Sequence, residues 1–198
     1  MCSSDLHRAR VLQAAVQDVL AQPPTTTTLY LVDGTLLDEL PAGMDSLRTE
    51  RVFVGYDESG ARVGMAISGA EPGFQDIIGL LFGYDPLSKE VLGMKVLESK
   101  ETPGLGDKIL KDSTFIREFI GVATPLLGVK KGREADLDEE VILITGATIS
   151  SRAVIDIINH QVEALGPAIG DFWSTSAIAR GAEASGNAVG DDVGGGGG

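Results

Sequence analysis

Hydrophobic positions recur at two different spacings along the chain, and the two spacings predict different elements. In Leu6–Leu20 apolar side chains return at every third or fourth position, which is typical of an amphipathic helix. The same period predicts a second helix over Ser151–Leu165, with Ser150 or Ser151 as its N-cap. Gly166-Pro167 is predicted to end that helix, because glycine and proline commonly follow a helix C-terminus.

The chain between these helices carries short apolar runs separated by polar turns, which is typical of strands. Arg51–Tyr56 and Arg62–Ser68 flank a polar turn that contains glycine, and Gln75–Tyr84 and Val91–Glu98 flank a turn over Asp85–Lys89. Each pair therefore predicts an antiparallel hairpin. Further apolar runs predict strands at Leu29–Val32 and Val141–Ile144 and a short helix at Ser113–Phe119. The order of elements indicates an α+β fold with a largely antiparallel sheet and packed helices.

Composition divides the 198 residues into three parts. Residues 1–28 are predicted to form an N-terminal helix and linker, and residues 29–178 are predicted to form one domain. Residues 179–198 are rich in Gly, Ala, Ser, Asn and Asp and end in five glycines. Such a segment buries too little apolar surface to offset its conformational entropy, so a disordered tail is predicted.

Charge and rare residues exclude several classes of function. The formal net charge of −13 and a pI near 4.5 argue against a nucleic-acid surface, which needs clustered Lys and Arg. A single cysteine, Cys2, and two distant histidines, His7 and His160, give no disulfide or metal pattern. Redox chemistry would therefore require an organic cofactor. No apolar run approaches the ~20 residues of a membrane helix.

The first stretch that could carry chemistry is Thr145-Gly146-Ala147-Thr148, at the junction of a predicted strand and a predicted helix. Unpaired N–H groups and the helix dipole favour an anion at such a junction, and the hydroxyls of Ser150 and Ser151 lie close by. The turn could equally be structural, with threonines that satisfy it and serines that cap the helix. Spacing alone favours the structural interpretation.

The second stretch runs from Glu101 to Lys108 and includes Thr102, Pro103, Gly104, Leu105 and Gly106. Proline restricts φ and the glycines permit unusual backbone conformations, so a rigid loop could pack against a planar ligand. The alternative is a connector between a strand and a helix. Neither a Walker motif nor a complete GxGxxG fingerprint is present.

Taken together, the segments "KETPGLGDKI", "FIREFIG" and "TGATISS" closely resemble the FMN-binding domain found in the G subunit of the Rnf complex. A related family is the C subunit of the sodium-pumping NADH:quinone oxidoreductase. The resemblance covers roughly Leu6–Leu165 and implies a curved sheet with FMN at the strand-to-helix turn. It implies that Thr148 is esterified to the FMN phosphate by a Mg²⁺-dependent flavin transferase that takes FMN from FAD.

The resemblance also implies roles for neighbouring residues. Thr145, Gly146 and Ala147 would form the turn around the attachment point. The loop Glu101–Gly106 would lie against the flavin, with Glu101 and Thr102 as polar contacts and Leu105 as an apolar contact. In one respect the sequence departs from the family pattern, since Ile142 stands where the transferase motif commonly has an aspartate.

The resemblance implies an electron-carrier subunit of a membrane ion-translocating ferredoxin:NAD oxidoreductase complex, and not a stand-alone catalyst. Its expected partners are the other subunits of the complex and the flavin transferase. The domain is expected on the extracytoplasmic face, following a membrane anchor that this chain lacks. The alternative is a flavin-free, or non-covalently FMN-binding, sensor or partner-binding domain. An enzyme acting on a soluble nucleotide is the least favoured, because no general base is evident.

Overall fold

Antiparallel hairpins build a central sheet of seven strands. The structure is a computed structural model, and it describes residues 3–130, 132 and 138–185. In chain order the strands of this sheet are β1 (Thr25–Val32), β2 (Thr35–Leu37), β3 (Arg51–Tyr56), β4 (Arg62–Pro72), β5 (Ile77–Asp85), β6 (Glu90–Glu98) and β7 (Val122–Ala123). Their order across the sheet is β2-β1-β3-β4-β5-β6-β7, and every pair is antiparallel.

A separate two-stranded sheet pairs β8 (Leu127–Lys130) with β9 (Glu140–Leu143) in parallel. The helices of the described chain are α1 (Ser3–Val19), α2 (Lys108–Lys111), α3 (Ser113–Arg117) and α4 (Thr148–Ser185). The largely antiparallel α+β fold predicted from the sequence is thereby confirmed.

The residues at the turns explain two of the hairpins. Between β3 and β4, the carboxylate of Asp57 accepts hydrogen bonds from the backbone N–H groups of Ser59 and Ala61, at 2.9 and 2.8 Å. Between β1 and β2, Asp33 and Gly34 have φ of +49° and +78°. Two consecutive positive φ angles are required by a type I′ turn, and Asp-Gly is a preferred sequence for it. Asp33-Gly34 therefore forms the turn that leads into β2, a strand that the apolar pattern does not predict.

The alternation of side chains across the strands gives the sheet two apolar faces, each covered by a helix. One face presents Phe53, Ala66 and Leu81 to α1, where they form a buried cluster with residues of that helix. The side chains on either side of these three point the other way and join the main core under α4. These neighbours are Val52, Val54, Met65, Ile67, Leu80 and Phe82. The result is three layers: helix, sheet, helix.

The long helix α4 corrects one prediction, because it passes through Gly166-Pro167 and continues to Ser185. A proline inside a helix costs about 3 kcal/mol, since it removes one hydrogen bond and crowds the preceding turn. Burial of Ala168 and Ile169 beyond the proline offsets this cost. The Arg62 guanidinium also stacks on Phe172 and Trp173, at 4.2 and 5.0 Å from their ring centroids.

The helix also includes residues 179–185, the beginning of the segment for which composition predicts disorder. The remainder of that segment, residues 186–198, lies outside the described residues. The division into 1–28, 29–178 and 179–198 stays a prediction.

Candidate functional site

The turn between β9 and α4 holds the first predicted stretch. Gly146 has φ +82°, a conformation that favours glycine, and the backbone N–H of Ala147 donates to the Ile144 carbonyl at 3.0 Å. The helix begins at Thr148, which is half-buried. Ser150 and Ser151 therefore lie within the first helical turn, and the prediction that one of them is the N-cap is wrong. Their hydroxyls instead donate to Glu101 and to the Ala147 carbonyl.

Ser151 closes the turn from inside the protein. Its hydroxyl donates to the Ala147 carbonyl at 2.8 Å and accepts from the Ile144 N–H at 3.2 Å. The side chain is fully buried. Ser151 thus fixes the path of the chain on both sides of Thr145 and Gly146, both of which are exposed.

The second predicted stretch folds as a tight loop between β6 and α2. Gly104 has φ +78°, and its N–H donates to the Asp107 carboxylate at 2.7 Å. The other oxygen of Asp107 accepts from Lys111 Nζ at 2.5 Å, and this ammonium holds the pKa of Asp107 below its ordinary value. The loop therefore has a defined shape that its own side chains maintain.

A buried carboxylate, Glu101, joins the two stretches to each other. Its Oε2 accepts a hydrogen bond from the Ser150 hydroxyl at 2.7 Å, and its Oε1 accepts from the N–H groups of Gln75 and Asp76 at 3.0 and 3.3 Å. Burial by itself raises the pKa of Glu101. The hydrogen bonds together have the larger, opposite effect, so the pKa lies below its ordinary value. The carboxylate is therefore ionised at neutral pH, and its hydrogen bonds tie three segments together.

Glycine is required at position 106 by this arrangement. A Cβ there would clash with Glu101 Oε2 and would lie 2.8 Å from Ser150 Oγ. Any larger residue would break the hydrogen bond between the two stretches. The close approach of the loop to the helix explains the second glycine of the Gly-Leu-Gly sequence.

A cavity of about 280 Å³ opens where the three segments meet. Of the predicted site residues, it is lined by Leu105, Gly106, Gly146, Ala147, Thr148 and Ser150. Five others do not line it: Glu101, Thr102, Gly104 and Thr145 lie in the adjoining loops, and Ser151 lies in the first turn of α4. Larger cavities exist beside α1 and beside the C-terminal half of α4, but they contain none of the predicted site residues.

Sequence reasoning missed two further residues that line the cavity and a third that reaches the adjoining turn. Phe74 and Ile149 line it and are 65% and 54% exposed. Lys108 reaches the turn, since its Nζ would lie 3.8 Å from a Cβ built on Gly146. The position of Lys108 at the end of the predicted loop was a usable signal, whereas nothing near Phe74 in the sequence points to the turn more than 70 residues later.

The arrangement suits a ligand that is planar at one end and anionic at the other. The Lys108 ammonium near Gly146 and the first amides of α4, which have no acceptor within the helix, favour negative charge at this turn. Phe74, Leu105 and Ile149 supply an apolar surface next to it. Within the described ranges, no group of three His, Cys, Asp or Glu side chains could hold a metal ion.

Comparison with known proteins agrees with this geometry. A family model described as an FMN-binding domain matches residues 73–163, a range that begins at the hairpin holding Phe74 and ends within α4. The solved structures of Shewanella oneidensis NqrC and of the corresponding C subunit from the Na⁺-translocating NADH-quinone reductase of Parabacteroides distasonis share the fold. Their TM-scores are 0.64 and 0.57, at 18% and 20% identity, and they cover 80% and 73% of this chain, which in turn covers 95% and 76% of theirs. The fold and site thus define an FMN-binding domain.

Relatives in sequence are the G subunits of ion-translocating oxidoreductase complexes. The proteins from Vibrio vulnificus and Pectobacterium atrosepticum are 36% and 33% identical, over 80% and 74% of this chain and 74% and 79% of their own lengths. The protein from Shewanella baltica is 32% identical over 77% of this chain and 69% of its own. The chain belongs to this G-subunit family. The predicted family and its cofactor, FMN, are confirmed.

Proposed function

We propose that this protein is the flavoprotein electron carrier of an Rnf-type ferredoxin:NAD oxidoreductase complex, with FMN attached through its phosphate to Thr148. One observation carries the proposal. Thr148 lines the cavity at the start of α4, and the Lys108 ammonium reaches Gly146 of the same turn. A phosphodiester on the Thr148 hydroxyl oxygen would therefore meet a cation and helix amides, while the ring system would meet the apolar residues.

The side chains around Thr148 explain why a separate enzyme would make the bond. A threonine hydroxyl is a poor nucleophile without a general base. Glu101 is occupied by three hydrogen bonds, and His160, further along α4, lies 2.6 Å from Glu71 and does not line the cavity. The proposed partner is thus a flavin transferase. The Thr148 oxygen forms a bond to the FMN phosphorus of FAD, the pyrophosphate bond breaks, AMP leaves, and the hydroxyl proton passes to solvent.

In this proposal the chain binds and positions the cofactor. Bound FMN supplies the ability to accept and release electrons. Lys108 and the helix N-terminus balance the phosphate charge, and Phe74, Leu105 and Ile149 exclude water from one part of the ring. The hydrogen bonds of Glu101 hold these walls at a fixed separation.

The setting of the domain is also part of the proposal. The relatives are named as subunits of an ion-translocating complex, and by this likeness the other subunits of a membrane complex are the proposed redox partners. The proposal assigns the domain to the extracytoplasmic face of the membrane. No helix in the described ranges is both long and apolar enough to cross a bilayer.

The test is the intact mass of the protein after co-expression with a flavin transferase. We expect the wild type to gain one FMN group and Thr148→Ala to gain none. Thr114→Ala is the matched control, because Thr114 is an exposed threonine of α3 that does not line the cavity, and this variant should keep the modification. A mass gain that survives in Thr148→Ala would place the flavin elsewhere.

The second candidate is a flavin-free or non-covalently FMN-binding domain, and Ile142 is the observation that favours it. Ile142 occupies the position of the usual motif aspartate, and its backbone N–H donates to the Glu118 carboxylate at 2.7 Å. Under this alternative neither the wild type nor Thr114→Ala gains mass. Recovery of the modification in Ile142→Asp would then identify Ile142 as the block.

A further inference from the structure

Phe74 is a large, solvent-exposed apolar side chain at the tip of the hairpin between β4 and β5. It is 65% exposed, and it lines the cavity that contains Thr148. Single exposed apolar side chains are ordinary on protein surfaces, and Leu47 and Leu87 are more exposed still, at 81% and 77%. Neither of those leucines lines this cavity. Phe74 differs because its exposed surface meets that of Leu105 and Ile149 at one place.

The hairpin tip that carries Phe74 is held from one side by three consecutive residues. Lys100 Nζ lies 3.8 Å from the Asp76 carboxylate, and Glu101 accepts from the N–H groups of Gln75 and Asp76. The Thr102 hydroxyl donates to the Gln75 side chain at 2.6 Å. A hairpin can form without contacts from another loop. These contacts are additional, and they fix the position of the tip relative to the cavity.

The backbone at Gly73 also holds the hairpin tip against Glu101. Gly73 N–H donates to the Asp76 carbonyl at 2.8 Å, which closes the tip beside Phe74. A Cβ on Gly73 would lie 2.5 Å from both Glu101 Oε1 and a methyl carbon of Ile78. The tip therefore lies directly on the carboxylate that also bonds Ser150, and Phe74 is tied to the start of α4 through a single side chain.

We propose that Phe74 is a positioning residue for the cofactor, and that its ring packs against the isoalloxazine ring of FMN. The inference deepens the proposed function and rests on FMN occupying this cavity. Two aromatic rings gain from offset or edge contact beyond the area they bury. A leucine at the same position would keep the apolar surface and lose this ring contact.

The first experiment separates this inference from the attachment at Thr148. An electron-rich indole in contact with a flavin quenches its fluorescence by electron transfer, so tryptophan reports whether position 74 touches the ring. Phe74→Trp and Leu87→Trp are each co-expressed with the transferase, and intact mass is measured first. Leu87 is the matched control, because it is an exposed apolar residue beyond the opposite end of β5 and does not line the cavity.

The fluorescence yield of the bound flavin is then compared at equal flavin content. We expect Phe74→Trp to lower the yield strongly and Leu87→Trp to leave it near the wild-type value. A yield in Phe74→Trp equal to that in Leu87→Trp would overturn the role of Phe74 while leaving the attachment intact. Native structure in each variant is checked by urea unfolding, which a change at an exposed side chain should alter little.

If no variant carries covalent FMN, a second measurement tests the contact between Phe74 and the flavin ring. Free FMN is titrated into Thr148→Ala and into Thr148→Ala/Phe74→Leu. Loss of an aromatic contact should weaken binding about 2- to 10-fold. Equal affinity in the two proteins would overturn the inference, whatever the fate of the covalent attachment.

Discussion

At the scale of single residues, Glu101 decides whether the site exists as a unit, because its carboxylate bonds the hairpin tip and the start of α4 at once. The residue types at the site could be predicted from the sequence: a threonine after a glycine turn, and a loop with two glycines. The use of Glu101 could not be predicted. A glutamate before Thr-Pro gives no sign that only 5% of it is exposed or that Ser150 is its partner.

The first prediction concerns this carboxylate. Glu101→Gln should lower the free energy of unfolding by about 2 kcal/mol at pH 7, because the acceptor loses its charge and one of its two accepting oxygens becomes an NH₂ group. The folded-state pKa of Glu101 lies below the ordinary value of 4.5, so its stabilisation is fully present above that value. The stabilisation is lost as the pH falls through the lower, folded-state pKa.

The measurement is urea unfolding of wild type and Glu101→Gln from pH 7 to pH 3. The difference in unfolding free energy should be constant above about pH 6 and should shrink below pH 4.5. Glu98→Gln is the control, since Glu98 is an exposed glutamate close by and should show little difference at any pH. A Glu101→Gln difference that persists undiminished to pH 3 would contradict the assigned role of the ionised form.

At the scale of elements, the strands of the main hairpins could be predicted from the sequence, whereas β8 and the end of α4 could not. Arg51–Tyr56 begins and ends where the alternation places it, because one face of that strand meets α1 and the other meets the main core. The parallel strand β8 was not predicted, because Leu127–Lys130 is short and mostly exposed and lacks a clear apolar pattern. The end of α4 was predicted wrongly, because local Gly-Pro chemistry was outweighed by packing beyond it.

The same chemical change at two glycines tests the helix boundary. Gly166 lies inside α4, has no positive φ, and would place a Cβ in open space. Gly166→Ala should therefore stabilise the protein by about 0.5–1 kcal/mol. Gly146→Ala should destabilise it by about 1 kcal/mol, because φ is +82° there.

Both variants are measured by urea unfolding against the wild type. Destabilisation by Gly166→Ala would indicate that the helix ends at Gly166, as the sequence pattern alone predicts. Opposite signs for the two substitutions would support a helix that continues past Pro167.

At the scale of the whole molecule, the sequence predicted the layer type but not the extent of each layer. Hairpin signals and two amphipathic helices are enough to indicate a sheet covered by helices. They do not show that α1 and α4 take opposite faces, since that depends on which side of each strand is apolar and on the register between strands. The register joins Val54 to Met65 and Phe82 to Met94, and only the folded sheet reveals it.

The net charge of −13 makes a prediction that belongs to the whole chain. Like charges repel in the compact state, and the exposed ion pairs of Lys95 with Asp18 and Lys100 with Asp76 contribute little against this excess. Raising NaCl from about 10 to about 150 mM shortens the screening length from roughly 30 to 8 Å. The midpoint of thermal unfolding at pH 7 should therefore rise.

The control is the same pair of salt concentrations near pH 4.5, the isoelectric region, where the net charge is close to zero and the rise should disappear. A lower midpoint at higher salt and pH 7 would show that attractive ion pairs outweigh the general repulsion.

The cavity is made by segments that are far apart in sequence, with Glu101 and Ser150 separated by 49 positions. An unfolded chain therefore has no pocket, and a freely dissociating flavin would bind the native state alone, adding about 2.7 kcal/mol of stability at 100 times its dissociation constant. A flavin tethered to Thr148 behaves differently, because it stays on the chain through unfolding at a high effective concentration. In the proposed covalent form, recovery of the cofactor on refolding would then be independent of dilution.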